Sequence, residues 1–483
     1  MARFFLILLI FIFISCSDKV PNGKSVNRLP VVFPDYTEVT IPNNIAPLNF
    51  KLKTLSKEAY AEFTVGMQKL LIKAKKGQFT ISPSRWNKLL KAGNTIIITV
   101  YAKEDEWIKY ASFNIYVSQD SIDPYLVYRL IEPGYALWNQ MGIYQRNIES
   151  YSESAIMENK MSGKNCMNCH SFCMQNPDKM LFHMRGTHVG TLLMNEGNIE
   201  KLNTKTDSTM SVLVYPSWHP SGRYVTFSVN QIKQSYHMND DNRVEVYDEA
   251  SDVVIYDVIN HEVFTMEKLS SGEVFETFPS FSPDGKMLYF CSAKAYPMPH
   301  SFEEVKYSLC AVSFDPETRG FGSSVDTLYH APSCGKSVSF PRVSPDGKYL
   351  LYTLSGYGNF SIWHKDADLC MVNLATGKNY PLDILNSNDV ESYHSWSSNS
   401  RWIVFSSRRI DGLYTRPYIA HVDIEGQASK PFLLPQKDTE FYHRSMKSYN
   451  IPEFITGKVK SKSWKLGVKA KKDPGIDVKF SGK

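Results

Sequence analysis

The sequence predicts an all-β chain: an N-terminal β-sandwich followed by a five- or six-bladed β-propeller that carries a C-x-x-C-H segment. Three observations predict it. The chain is rich in strand-favouring aromatics, with 28 Tyr, 27 Phe and 8 Trp among 483 residues. One strand–turn–strand phrase recurs four times between residues 215 and 405. Only one stretch, residues 84 to 91, reads as a helix. The length suffices for two or three domains, and a hydrophobic content of 43% suits a packed globular protein.

From the N-terminus, Arg3 precedes an apolar run from Phe4 to Ile14, too short to stay in a bilayer as a spanning helix, and Ser15-Cys16 follows. Residues 1–15 read as a secretory signal peptide. A small residue directly before Cys resembles the bacterial lipoprotein cleavage box, with Phe13 where that box usually has Leu. The resemblance implies lipidation at Cys16 and an outer-membrane lipoprotein of the cell envelope, on the periplasmic face or the cell surface. Ser17-Asp18 resembles the surface-export signal of Bacteroidota lipoproteins, interrupted by Lys19. The other reading of Cys16 is a free cysteine ending an ordinary signal peptide. Residues 16–30 are polar with Pro and Gly and read as a tether.

Residues 31–120 are strand-like. Asn49 to Lys53 alternates, Thr95 to Tyr101 is β-branched and aromatic, and Ala111 to Val117 alternates again. A short helix is expected over Ser84 to Lys91, opened by Ser82-Pro83. Ninety residues of short strands with no cysteine pair suggest a β-sandwich of immunoglobulin-like shape.

The repeat begins at Tyr215, Phe278, Phe340 and Tyr393, so the copies lie 63, 62 and 53 residues apart. Pro-Ser-Gly, Pro-Asp-Gly, Pro-Asp-Gly and Ser-Asn-Ser occupy the turn; Pro fixes φ early and Gly takes a positive φ late. A second strand pair follows each copy, as in Ala367 to Leu382. Two hairpins make a four-stranded blade, and blades in a ring leave only short protected edges. A further copy is expected at His170-Ser171-Phe172 followed by Asn176 to Phe182. Tyr125 to Glu158 supplies outer strands of another blade, and strands near Phe441 to Phe454 close the ring. The phrase resembles the TolB-like, WD-type propeller repeats of the bacterial envelope over roughly residues 165 to 430, within a propeller spanning 121–456. That resemblance implies a binding or scaffold module.

Cys166-Met167-Asn168-Cys169-His170 carries the chemistry. Two thiols so spaced can add to the two vinyl groups of one haem, and the adjacent His falls beneath the iron as proximal ligand. With 8 Cys and 12 His in 483 residues, chance matches number on the order of 0.003. The motif resembles that of c-type cytochromes and implies covalent haem c within segment 161–190; nothing else resembles a cytochrome c fold. Other readings stand beside it. Cys166, Cys169 and Cys173 with His183 or His188 have the ligand types of a zinc site, and two of the thiols could form a disulfide. Candidates for a sixth iron ligand are Met174, Met180, His183, Met184 and His188, and at longer range His394, which occupies in its repeat the place of His170.

Cys291, Cys310, Cys334 and Cys370 fall on or beside blade strands, and Cys291 with Cys310 flank one connection. Asn239 to Asp252 is acidic without EF-hand spacing and reads as a solvated loop. Net charge is +5, but residues 457–483 hold nine Lys and two Asp, or +7, which leaves the body near −2 and argues against nucleic acid as a partner. The basic tail reads as a solvated terminus. The expected function is a lipid-anchored monohaem protein acting in electron transfer or haem-dependent redox chemistry with an envelope protein partner. The alternative is a propeller binding module with a structural or zinc-binding Cys cluster. A hydrolase is disfavoured because no G-x-S-x-G elbow occurs.

Overall fold

The computed structural model describes residues 20–132 and 139–482. The signal peptide and Cys16 lie outside the described residues. The chain is mostly β, as the sequence predicts, and is built from many sheets.

Residues 24 to 118 form a seven-stranded and a three-stranded sheet. The longest strands, Glu58–Val65 and Thr95–Lys103, pair antiparallel, and the helix Pro83–Ala92 buries Trp86, Leu89 and Leu90. Proline at its first turn fits the missing N–H there. The tether is shorter than expected. Lys24–Ser25 pairs parallel with Trp107–Lys109, because the open sheet edge offers unpaired backbone groups.

Six antiparallel sheets follow. One holds Tyr125–Ile131, Gly142–Asn147 and Glu153–Glu158, with Ser448–Ile455 added beside Tyr125–Ile131. The other five begin with Cys166–Phe172, Leu213–Trp218, Val274–Phe281, Ser337–Val343 and Glu391–Trp396 and run outward in chain order. Each of these five strands touches the first strand of the next sheet, and Ser448–Ile455 touches both Glu391–Trp396 and Cys166–Phe172. The contacts therefore close a ring, with a strand from near the C-terminus completing the sheet that starts it. Apolar clusters fill the spaces between sheets; Met167, Phe172, Met180 and Met184 pack in one of them.

The N-terminal sheets share a core with the last ring sheet, through Trp402, Val404, Ile419 and Phe432. Trp402 Nε1 donates to the Asp120 carbonyl at 3.1 Å, and Ser398 N donates to Asp123 at 2.7 Å.

The basic tail does not hang in solvent. Ser463–Lys472 is a helix with Leu466 and Ala470 buried, and Ile476–Asp477 and Lys479–Gly482 add parallel edge strands to two ring sheets. Its lysines line the outer face, while apolar residues at helical spacing supply the inner one. Buried Lys201 donates to the Ala470 and Asp473 carbonyls at 3.0 and 3.2 Å. No helix among the described residues is long and apolar enough to cross a membrane.

The acidic stretch is a hairpin arm rather than a free loop. Tyr224–Tyr236 and Val244–Asp257 pair over their full length. The arm reaches another sheet's loop, where Asn242 Nδ2 donates to Tyr357 Oη at 3.0 Å and Tyr357 Oη donates to Glu245 at 2.6 Å.

Candidate functional site

The innermost strand of every ring sheet carries the same irregularity. Cys169, Tyr215, Phe278, Phe340, Tyr393 and Ile451 all have φ between 48° and 55°, and the pairing register shifts beside each of them. A left-handed non-glycine residue is strained. Its sixfold recurrence marks a built-in bulge that re-aims one side chain per sheet. The re-aimed side chains meet. Ring centroids lie 4.6 Å apart for Tyr215–Phe278, 4.0 Å for Phe278–Phe340 and 5.0 Å for Phe340–Tyr393. Together they form an apolar plug on the ring axis, with Cys169 as its one thiol.

The plug separates two cavities. Cys169, Tyr215, Tyr393 and Ile451 border both. The narrow cavity has a volume of about 150 Å3 and is also bordered by His170, Met174, Arg342, His394 and Glu453. The wide one, about 600 Å3, is bordered by Cys166, Arg129, Arg185, Trp363 and Arg408.

One residue past the plug the six sheets carry His170, Pro216, Pro279, Pro341, His394 and Pro452. Both imidazoles are buried, and burial pushes each down to about 3, so both are neutral at physiological pH. Their commitments differ. His394 Nε2 donates to the Leu351 carbonyl at 3.1 Å, with Nδ1 3.4 Å from Thr353 Oγ1. Neither nitrogen of His170 meets full hydrogen-bond geometry; the Ile451 backbone is its near polar neighbour, in a loose contact that opposes the effect of burial. A buried, unsatisfied imidazole costs about 1–3 kcal/mol and leaves a lone pair for a metal.

The next position is Ser171, Ser217, Ser280 and Ser395 in four sheets but Arg342 and Glu453 in the other two. Glu453 accepts the Phe172 N–H at 3.1 Å, and burial pushes its carboxyl up to about 8. Arg342 donates to the Pro341 carbonyl at 3.0 Å. Both border the narrow cavity and are half-buried.

The structure sorts the sequence candidates. Cys166, Cys169 and Cys173 are buried free thiols. Cys173 faces a different interface, its Sγ 3.7 Å from the His219 carbonyl, and burial pushes it up to about 11. Met180 and Met184 are fully buried core residues. His183 is held by Thr191 Oγ1 at 3.1 Å, and His188 packs beside Gly163. Met174, 43% exposed with φ and ψ both 47°, borders the narrow cavity with His170. Among the described residues, no three His, Cys, Asp or Glu side chains stand close enough to hold a metal ion. Cys166, Cys169, Cys173, His183 and His188 thus do not converge on a zinc site. Cys291 and Cys310 do not pair either: they lie in different apolar clusters.

The donor set fits a covalently attached haem in kind, since two free thiols flank the axis and the adjacent imidazole is neutral and uncommitted. Its placement differs from such a site in one respect. Cys166 borders the wide cavity, His170 the narrow one and Cys169 both. The bulge at Cys169 divides the three residues between two faces of the plug.

Sequence reasoning overlooked Arg342 and Glu453, although the repeat alignment exposes them as departures from Ser. It also overlooked Arg129 and Arg408, which lie outside the repeated phrase and carry no local signal.

No family model matches the chain, and no curated protein matches it. Among solved structures, it is similar to an oligogalacturonate lyase from Vibrio parahaemolyticus (11% identity, TM-score 0.37, 79% of this chain and 80% of that one). It is also similar to an apocarotenoid oxygenase of Synechocystis (10%, 0.37, 84% and 94%) and to prolyl oligopeptidase B of Galerina marginata (10%, 0.35, 76% and 43%). No residue assignment rests on likenesses this loose.

Proposed function

We propose that this chain is an exported, lipid-anchored six-bladed β-propeller that carries one c-type haem on Cys166 and Cys169, with His170 as proximal ligand, and transfers electrons to or from an envelope partner. The observation that carries the reading is a C-x-x-C-H sequence on an innermost strand, its thiols free and its imidazole buried with both nitrogens unpartnered. Six sheets whose first strands touch in cyclic order support six blades. The haem supplies a one-electron couple. Of the sixth-ligand candidates, Met174 and His394 border the narrow cavity with His170, and both His394 nitrogens are engaged. A Met ligand raises the potential relative to His.

The test is protein matured in a host with haem-attachment machinery, examined by absorption spectroscopy, haem staining after SDS denaturation, and mass spectrometry of the 166–170 peptide. The peptide is expected to carry the mass of one haem. Cys166→Ser with Cys169→Ser is expected to abolish the stain while the far-ultraviolet circular dichroism stays β-rich. An unmodified 166–170 peptide from the native host overturns the reading.

The second reading, a propeller serving as a binding module, draws its support from the size of the wide cavity, which falls in the usual range for small-molecule sites.

A further inference from the structure

The wide cavity is walled by arginines that make no ion-pair contact among the described residues. Arg408, 4% exposed, lays its guanidinium carbon 3.2 Å from the Trp363 ring centroid; its Nε has no hydrogen-bond partner, and it makes no ion pair among the described residues. Asp389 and Asp411 act on its charge from a distance without pairing with it: Asp389 accepts the Val390 N–H at 2.8 Å, and Asp411 accepts the Leu413 and Tyr414 amides at 2.9 and 2.8 Å. Burial pushes Arg408 down only to about 9, so it stays protonated. Arg129, 7% exposed, also has an unpartnered Nε; its Nη1 donates to the Met167 carbonyl at 3.4 Å and its Nη2 to the Asn450 side-chain oxygen at 3.2 Å, both neutral acceptors. Arg185 borders the same space without an ion pair among the described residues. The single carboxylate on the wall, Glu132, is taken by Lys447 at 2.8 Å, and Lys233 is neutralised by Glu249 at 2.9 Å. Residues 133–138, which follow Glu132, include no acid.

A buried guanidinium with no paired anion is costly, and an aromatic face under it offsets only part of that cost. The remainder is recovered when an anion enters. The walls favour one kind of anion: Trp363, Phe360 and Tyr393 offer flat apolar surface beside the guanidinium forks, which match carboxylate geometry.

We infer that the wide cavity is a binding site for an organic carboxylate with a flat apolar body, its carboxylate held by Arg408 with Arg129 or Arg185 and its body against Trp363 and Tyr393. The inference does not rest on haem attachment. That chemistry has two sources: a free small molecule, or the propionate groups of a porphyrin fixed at Cys166 and Cys169.

Isothermal titration calorimetry on the full chain tests it, with benzoate as probe and benzylamine as its cationic counterpart. In the Cys166→Ser, Cys169→Ser protein, benzoate is expected to bind and benzylamine not. Arg408→Leu in that background is expected to weaken benzoate by about tenfold or more, as loss of a charge-assisted pair does. It should also raise the melting temperature without ligand, since it removes a buried charge. Arg185→Gln, at a half-buried position, is the second variant and is expected to weaken benzoate about threefold at constant fold. The natively matured protein separates the sources: loss of benzoate binding there assigns the site to propionates, and retention assigns it to a free carboxylate. Benzoate binding no tighter than benzylamine, or unmoved by both Arg408→Leu and Arg185→Gln, overturns the inference.

Discussion

Glu453 makes protein stability depend on pH in the sense opposite to that of the buried histidines. Its folded carboxyl is raised from 4.5 to about 8 by burial in the narrow mouth, against the opposing pull of the Phe172 N–H and of Arg342. Between these values the folded chain holds a proton that the unfolded chain has lost. Stability therefore falls as pH rises through the window and levels off above pH 8. At 1.36 kcal/mol per pH unit the fall over the whole window is at most about 5 kcal/mol, and between pH 6.5 and 8 at most about 2 kcal/mol. The buried histidines act in the opposite sense. His170, His183 and His394 are lowered to about 3, so unfolding at pH 6.5 half-protonates each, and together they add about 1 kcal/mol of rising stability between pH 6.5 and 8, equally in parent and variant. Asp248 and Asp368, raised to about 6, complete most of their titration by pH 6.5. Glu453→Gln keeps an acceptor for the Phe172 N–H and removes the proton. Urea unfolding at pH 6.5, 7.2 and 8.0 should show the stability difference, parent minus Glu453→Gln, falling by up to about 2 kcal/mol. A difference that stays constant across the three pH values would refute the reasoning.

Other consequences are equally direct. Phe340, 5% exposed and 4.0 Å from Phe278 by ring centroids, is central to the plug, and Phe340→Ala should cost about 3–5 kcal/mol in chemical denaturation. Truncation after residue 456 keeps the ring-closing strand Ser448–Ile455 but removes the helix and two edge strands; it should lower the melting temperature yet leave a folded protein by circular dichroism. Truncation after residue 447 removes the closing strand and should yield insoluble or protease-sensitive chain. The neutral buried state of His183 is stabilising above pH 6.5 and is lost as pH falls toward 3; His183→Gln should reduce proton uptake on acid unfolding by about one, read from the slope of stability against pH.

Much of the ring was legible because its signal is local. Pro-Asp-Gly turns between alternating strands announce hairpins wherever they occur, and the likeness of His170-Ser171-Phe172 to Pro279-Ser280-Phe281 reflects a shared place on innermost strands. The closing copy, Ile451-Pro452-Glu453-Phe454, was visible only as strand-like text because its own turn is absent; its partner strand lies more than 300 residues earlier. The tail misled for a different reason. Nine lysines dominate its composition, while Leu466 and Ala470, which dock it, are too few to register as an amphipathic pattern. Within the candidate site, the C-x-x-C-H spacing was plain, but which face each residue takes depends on a bulge at Cys169 that no residue type announces. The Arg408–Trp363 stack joins positions 45 residues apart, on connections that follow strands of different sheets, and left no trace in sequence.

The aromatic plug acts as a septum. A molecule bound at one mouth is screened from the other by packed rings, so the two ends present separate surfaces. An electron needs no open passage, and Cys169, which borders both compartments, sits where charge could be relayed across a wall that stops mass.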